Sequence, residues 1–140
     1  MPQVDFYILE QHRYPDQLVC QLVDKACQQG LKVQIHTCNE AAARAIDDRL
    51  WTFSDISFIP HALYQREVPA ESQVLISWQN HPPSHTDVLM NLTTNIPDAV
   101  ENFARIIEIV AADDESRQYA RQRYREYRDL GCDLETHNIG

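Results

Sequence analysis

The sequence predicts an α/β protein: a three-layer α/β/α sandwich around a five-stranded, mostly parallel or mixed sheet, Rossmann-like but without a phosphate loop. Strand-like and helix-like patterns alternate from the first residues on, joined by connections of a few residues, and that alternation produces right-handed βαβ units. Only three glycines occur in 140 residues, so the Gly-rich turn with which such folds cradle phosphate is missing. No repeat, low-complexity tract or linker divides the sequence. Residues 1–140 read as one domain, long enough for a single sizeable core.

Val4–Leu9 (VDFYIL) is a compact β-branched and aromatic run, the signature of a buried strand. Tyr14, Pro15 and Asp16 make a turn, and Asp16 caps a helix over Gln17–Gln29. There Leu18, Val19, Leu22, Val23, Ala26 and Cys27 recur at helical spacing, and Gly30 stops the run. Lys32–Thr37 alternates as a second strand, and Asn39 caps an alanine-rich second helix to about Leu50. Gln73–Trp78 and Asp87–Leu92 read as strands three and four, separated by a turn at Asn80–Ser84 that holds Pro82 and Pro83. Ile96, Pro97 and Asp98 open a short helix to about Phe103, and Arg105–Val110 is strand five. Asp113 and Asp114 begin a last helix that runs to about Leu130 and closes at Gly131.

Twelve Lys and Arg against 21 Asp and Glu give a net charge of −9 and a pI near 5.0. That balance disfavours a nucleic-acid-wrapping protein. The longest apolar runs are too short to span a bilayer, and the N-terminus lacks a signal-peptide pattern, so a cytoplasmic location is expected. The four cysteines, Cys20, Cys27, Cys38 and Cys132, form no C-x-x-C pair and are expected as reduced thiols. His12, His36, His61, His81, His85 and His137 show no paired metal-ligand spacing on a helix face, and Pro82 and Pro83 separate His81 from His85. No nucleophile elbow, Cys/His dyad or Walker loop is present. No catalytic residue, metal or cofactor is expected.

One segment stands apart. Residues 117–128 hold Arg117, Arg121, Arg123, Arg125 and Arg128 against the single acid Glu126, which makes the stretch +4 and leaves −13 on the rest. At about 100° per residue, and with Arg117 at zero, Arg121 falls near 40°, Arg125 near 80°, Arg128 near 20° and Tyr124 near −20°. Tyr119, Ala120, Tyr127 and Leu130 fall on the opposite side and are expected against the sheet. One explanation is a solvated face whose arginines pair with nearby acids. The other is a site for an acidic ligand, since planar guanidinium forks suit carboxylate or phosphate and Tyr124 adds an apolar wall. Solvated helix faces interleave both signs at i,i+4, and this one does not. A second, weaker feature is the aromatic stretch Trp51, Phe53 and Phe58 between helix two and strand three, either core filling or a partner surface.

The opening strand and helix, followed by GLKVQIHTCNEAAARAIDDRLWTFSDISFIPH, together with YARQRYREYRDLGCDL near the end, resemble the chi subunit of bacterial DNA polymerase III. The most specific piece is R-x-R-Y-x-x-Y-R-x-x-G, carried by Arg121, Arg123, Tyr124, Tyr127, Arg128 and Gly131. Next comes L-W-x-x-x-x-x-S-F-x-P-H, carried by Leu50, Trp51, Ser57, Phe58, Pro60 and His61. The resemblance runs in order along essentially the whole chain, apart from Tyr64–Ser72, which has lost glycines, and Thr136–Gly140, which does not match.

The resemblance implies a clamp-loader accessory subunit that makes and breaks no bond. Such proteins bind the psi subunit on one surface. On another they bind the acidic C-terminal tail of single-stranded-DNA-binding protein, whose last residue is phenylalanine. Arg121 and Arg125 match the tail-binding positions, with Arg117 and Arg128 as further contacts, and Tyr124 and Val110 match the pocket for the terminal ring. Arg125 stands where lysine is common in relatives. Trp51 and Phe58 match positions of psi docking, a surface that a helicase could use where psi is absent. The competing expectation is a nucleotide- or nucleic-acid-binding domain that turns the same arginine helix toward phosphates.

Overall fold

The computed structural model describes residues 2–9, 15–52, 61–63, 74–78, 87–93, 95–96 and 100–139. In chain order the elements are β1 (Gln3–Leu9), α1 (Pro15–Gln28), β2 (Val33–His36), α2 (Glu40–Thr52), β3 (His61–Leu63), β4 (Val74–Ser77) and β5 (Val88–Asn91). A 3₁₀ turn (Val100–Asn102), β6 (Arg105–Val110), α3 (Asp114–Asp129) and β7 (Asp133–Ile139) complete the chain. The strands form one sheet in the order β3-β4-β2-β5-β6-β1-β7, and every neighbouring pair is parallel.

The class is α/β as expected, but among the described residues the sheet has seven strands rather than five. The two additions are its edges. β3 is three residues long, too short to show a period of its own, and it lies where the sequence reads as a loop. β7 (DLETHNI) is largely exposed, so it lacks the apolar alternation by which a strand is recognised. Of the short helix expected from Ile96 to about Phe103, residues 97–99 lie outside the described residues, and Val100–Asn102 form a 3₁₀ turn.

Alternation along β6 divides the core in two. Ile107 and Ile109 belong with Val19, Val23, Ala43 and Ile46 of α1 and α2, and with Val33, Ile35, Val88 and Met90 of the sheet. Ile106 and Val110 belong with Val4, Phe6 and Leu89 on the other face, under Ala120 and Tyr127 of α3 and beside Phe103. Helices α1 and α2 therefore cover one face and α3 the other, the layering expected of an all-parallel sheet. The central strands β4 and β5 are buried at every residue.

All four cysteines are free thiols. Burial and the nearby Asp24 push the Cys27 thiol up to about 11, so it stays protonated at neutral pH. No helix among the described residues is long and apolar enough to cross a membrane.

Candidate functional site

Helix α3 is held rigidly at both ends. Asp113, in extended conformation, caps it: its carboxylate accepts from the Ser116 backbone N–H at 2.9 Å and from the Ser116 hydroxyl at 2.7 Å. Asp114 and Glu115 in the first turn complement the helix dipole. At the far end Gly131 takes φ 87°, a left-handed value that costs glycine nothing. Its N–H donates to the Arg128 carbonyl at 3.0 Å and that of Cys132 to the Tyr127 carbonyl at 3.1 Å, the paired bonds of a Schellman closure.

The rotation of α3 about its axis is set from beneath. Glu108 on β6 is fully buried. It accepts from Arg123 Nε at 2.9 Å, the Tyr127 hydroxyl at 2.6 Å and Asn91 Nδ2 at 2.9 Å. Burial raises the Glu108 carboxyl above the ordinary carboxylate range, and Arg123, Tyr127 and Asn91 offset only part of that rise. Burial and the adjacent Glu108 likewise push the Tyr127 hydroxyl far up. Arg123 and Tyr127 are both drawn inward, so Arg123, nominally one of five basic residues on the helix, is buried structure and not surface.

The sequence places Tyr119 and Leu130 against the sheet, but they stand 40% and 49% exposed. The buried positions of α3 are only Ala120, Arg123 and Tyr127. A helix near the sheet edge has little surface to cover, and its apolar contact is narrower than the sequence pattern.

With Arg123 and Tyr127 turned in toward the sheet, the stripe faces a groove of about 440 Å³. Arg117, Arg121, Tyr124, Arg125 and Arg128 form one wall, Phe6 and Ile8 of β1 with Val110 of β6 the floor, and Thr136 and Asn138 of β7 the far wall. All six residues singled out on this side, Val110 included, thus line one cavity. The Tyr124 ring leans on Phe6, centroids 5.5 Å apart and planes tilted by 52°, leaving 38% of the residue exposed. Among the described residues Arg117, Arg121 and Arg125 form no ion pair, and Arg128 has only the exposed Asp129 at 3.7 Å. Arg117 Nε is buried and has no hydrogen-bond partner among the described residues. Such a donor is costly to leave unmet, and here it lies on a residue lining the groove.

Phe6, Ile8, Thr136 and Asn138 were not singled out from the sequence. The period-2 pattern of Val4–Leu9 does place Val4, Phe6 and Ile8 on one face, but nothing local says that α3 lies over that face. Thr136 and Asn138 belong to the unforeseen β7. Trp51 lies in the last turn of α2, a helix on the opposite side of the sheet from the groove, and Phe58 lies outside the described residues.

A second cavity of about 350 Å³ opens at the carboxyl ends of β2, β5 and β6, where open parallel sheets hold their ligands. Three of its polar residues are already engaged. Thr37 Oγ1 donates to the Ser77 carbonyl at 3.0 Å, Ser116 Oγ to Asp113, and Arg123 to Glu108. The Asp113 carboxylate at the α3 N-terminus occupies the place where a phosphate would dock.

The family described as DNA polymerase III chi subunit, HolC, matches residues 1–135. Curated relatives named DNA polymerase III subunit chi include that of Pseudomonas aeruginosa, 38% identical over 99% of this chain and 98% of its own length. That of Escherichia coli is 32% identical over 97% of both chains. Solved structures similar in fold include T4 UvsW, with TM-score 0.66 and 9% identity, covering 98% of this chain and 41% of that one. The S. cerevisiae Dbp5 C-terminal domain has TM-score 0.60 and 10% identity, covering 99% and 90%. At such identities the two likenesses speak of fold alone. The match along nearly the whole sequence and the relatives of near-equal length show that this chain belongs to the DNA polymerase III chi subunit family.

Proposed function

We propose that the chain is a non-catalytic, cytoplasmic adaptor of the DNA polymerase III holoenzyme that links the clamp loader to lagging-strand template coated with single-stranded-DNA-binding protein. Its α3 groove takes the acidic C-terminal tail of that protein, and the α2 end with Trp51 and Phe58 docks the psi subunit. The observation that carries the first part is the convergence of four arginines and Tyr124 on one apolar-floored groove. A peptide ending in phenylalanine needs those three things. An apolar floor of Phe6, Ile8 and Val110 receives the ring, a guanidinium fork receives the α-carboxylate, and a row of cations guides the upstream acids. The reading in which α3 binds phosphates of a nucleotide or nucleic acid fits less well, because the remainder of the chain, at −13, repels a polyanion.

Titration of the purified chain with the host tail peptide, beside one lacking the final phenylalanine, tests the assignment. Binding is expected only for the intact peptide. Arg121→Ala is expected to weaken it by about 1–3 kcal/mol, the loss of a charged hydrogen-bond partner. Unchanged affinity in a folded Arg121→Ala chain would refute the site.

A further inference from the structure

The parallel register of β1 and β7 assembles a group on the sheet face away from α3. Asp5 lies opposite Glu135, and Tyr7 opposite His137. The Asp5 side chain is fully buried, while those of His137 and Glu135 are 38% and 63% exposed, so the buried carboxylate lies directly behind two side chains that meet solvent. His137 Nε2 lies 3.1 Å from Asp5 Oδ1 and 3.8 Å from Glu135 Oε2. The Gln3 amide bridges the same two carboxylates, its nitrogen 3.4 Å from Asp5 Oδ1 and 3.3 Å from Glu135 Oε2. A half-turn of that amide puts its oxygen in the nitrogen's place and makes it a fourth donor.

We propose that Asp5, Glu135 and His137, completed by the Gln3 amide oxygen, bind one divalent transition cation of the zinc class. A tetrahedral ion with bonds of about 2.0–2.2 Å keeps its ligand atoms about 3.4 Å apart. Four of the six ligand-to-ligand separations, 3.1, 3.3, 3.4 and 3.8 Å, straddle that spacing before any adjustment, and the ligand atoms of Asp5, Glu135 and His137 all lie within 4.8 Å of one another.

The surroundings are those of a metal site. Arg105 Nε holds the other oxygen of Asp5 at 2.7 Å, leaving Oδ1 for the ion. The Tyr7 ring stacks on the imidazole, centroids 4.7 Å apart and planes 17° apart, and fixes where Nε2 points. Two carboxylates against the one guanidinium leave a net negative charge for the cation to offset. One imidazole nitrogen among oxygens suits zinc or cobalt better than magnesium or calcium. The sequence shows no ligand spacing because the donors come from two strands at opposite ends of the chain. The family match stops at residue 135, so His137 lies beyond it. An ion here ties the edge strand β7 to β1.

The test is titration of the chelator-stripped, reduced full chain with Co²⁺, and separately with Zn²⁺. Expected are one cobalt per chain, with the visible absorption of a tetrahedral nitrogen–oxygen set and no thiolate charge-transfer band. A rise in Tm of roughly 5–10 °C is expected at a hundredfold excess of Zn²⁺ over Kd. His137→Gln and Glu135→Gln, both partly exposed on an edge strand, are expected to weaken cobalt binding at least tenfold, Glu135→Gln with the metal-free Tm kept and His137→Gln with the metal-free chain still folded. A thiolate band would move the site to the cysteines. That band, binding unaffected by either variant, or no binding at 100-fold molar excess would each overturn the proposal.

Discussion

Arg123 and Tyr124 are neighbours in sequence with opposite duties. Arg123 is buried against Glu108, and removing it strands a carboxylate in the core. Arg123→Leu is expected to destabilise the fold by about 3–5 kcal/mol at neutral pH. The pH dependence has a definite sign. The Glu108 pKa is already raised by burial, and loss of the guanidinium raises it further above the unfolded value. The stability contributed by such a group is fully present below its unfolded pKa and is lost as pH rises through the folded one. The deficit of Arg123→Leu should therefore shrink on acidification toward the ordinary glutamate range, as denaturant unfolding at a series of pH values will report. A deficit independent of pH would mean that packing, not charge, dominates. Tyr124→Ala, by contrast, removes a ring that leans on Phe6 at the open wall of the groove. It is expected to lower stability by no more than about 1.5 kcal/mol, while weakening tail-peptide binding by about 1 kcal/mol or more. Calorimetry of unfolding and of binding separates the two.

At the scale of elements, α3 is the working part, and its caps are what the sequence announces most plainly. Asp113→Ala removes the carboxylate that holds the Ser116 N–H and hydroxyl. A loss of about 1 kcal/mol is expected, read as a lower Tm. Arg117, one turn inside that cap, should lose part of its contribution to peptide binding as the first turn frays. The ends of α3, at Asp114 and Asp129, lie within a residue of where acids, arginines and Gly131 place them, because caps act through bonds to residues a few positions away. Strands β3 and β7 were invisible for the converse reason. A three-residue strand has no period, and an edge strand with solvated side chains has no apolar pattern. Only pairing with β4 and β1 makes them strands.

For the molecule as a whole, the polarised charge governs association. The arginine stripe is an exposed island on a chain of net −9, and at physiological salt the screening length is about 8 Å. Tail-peptide affinity should fall steadily as salt is raised from low to several hundred millimolar, while a bare oligonucleotide should bind negligibly at physiological salt. Fluorescence anisotropy with both ligands decides this. Tight oligonucleotide binding with weak peptide binding would favour the phosphate reading of α3.

Local chemistry settled the α/β class, the five central strands, the caps of α3 and the one-sided stripe of Arg117, Arg121, Tyr124, Arg125 and Arg128. Each depends on interactions within one or two turns or on the period of a single segment. What lies opposite that stripe is not a local property. The floor of Phe6 and Ile8, the wall of Thr136 and Asn138, and the inward turn of Arg123 onto Glu108 depend on which strand lies beside which. Arg123 falls about 200° from Arg121 around the helix, so local geometry already turns it away from the stripe, but the Glu108 carboxylate of β6 that it meets there is not a local feature. Tertiary structure decided that, because a buried charge requires a partner wherever the fold brings one near.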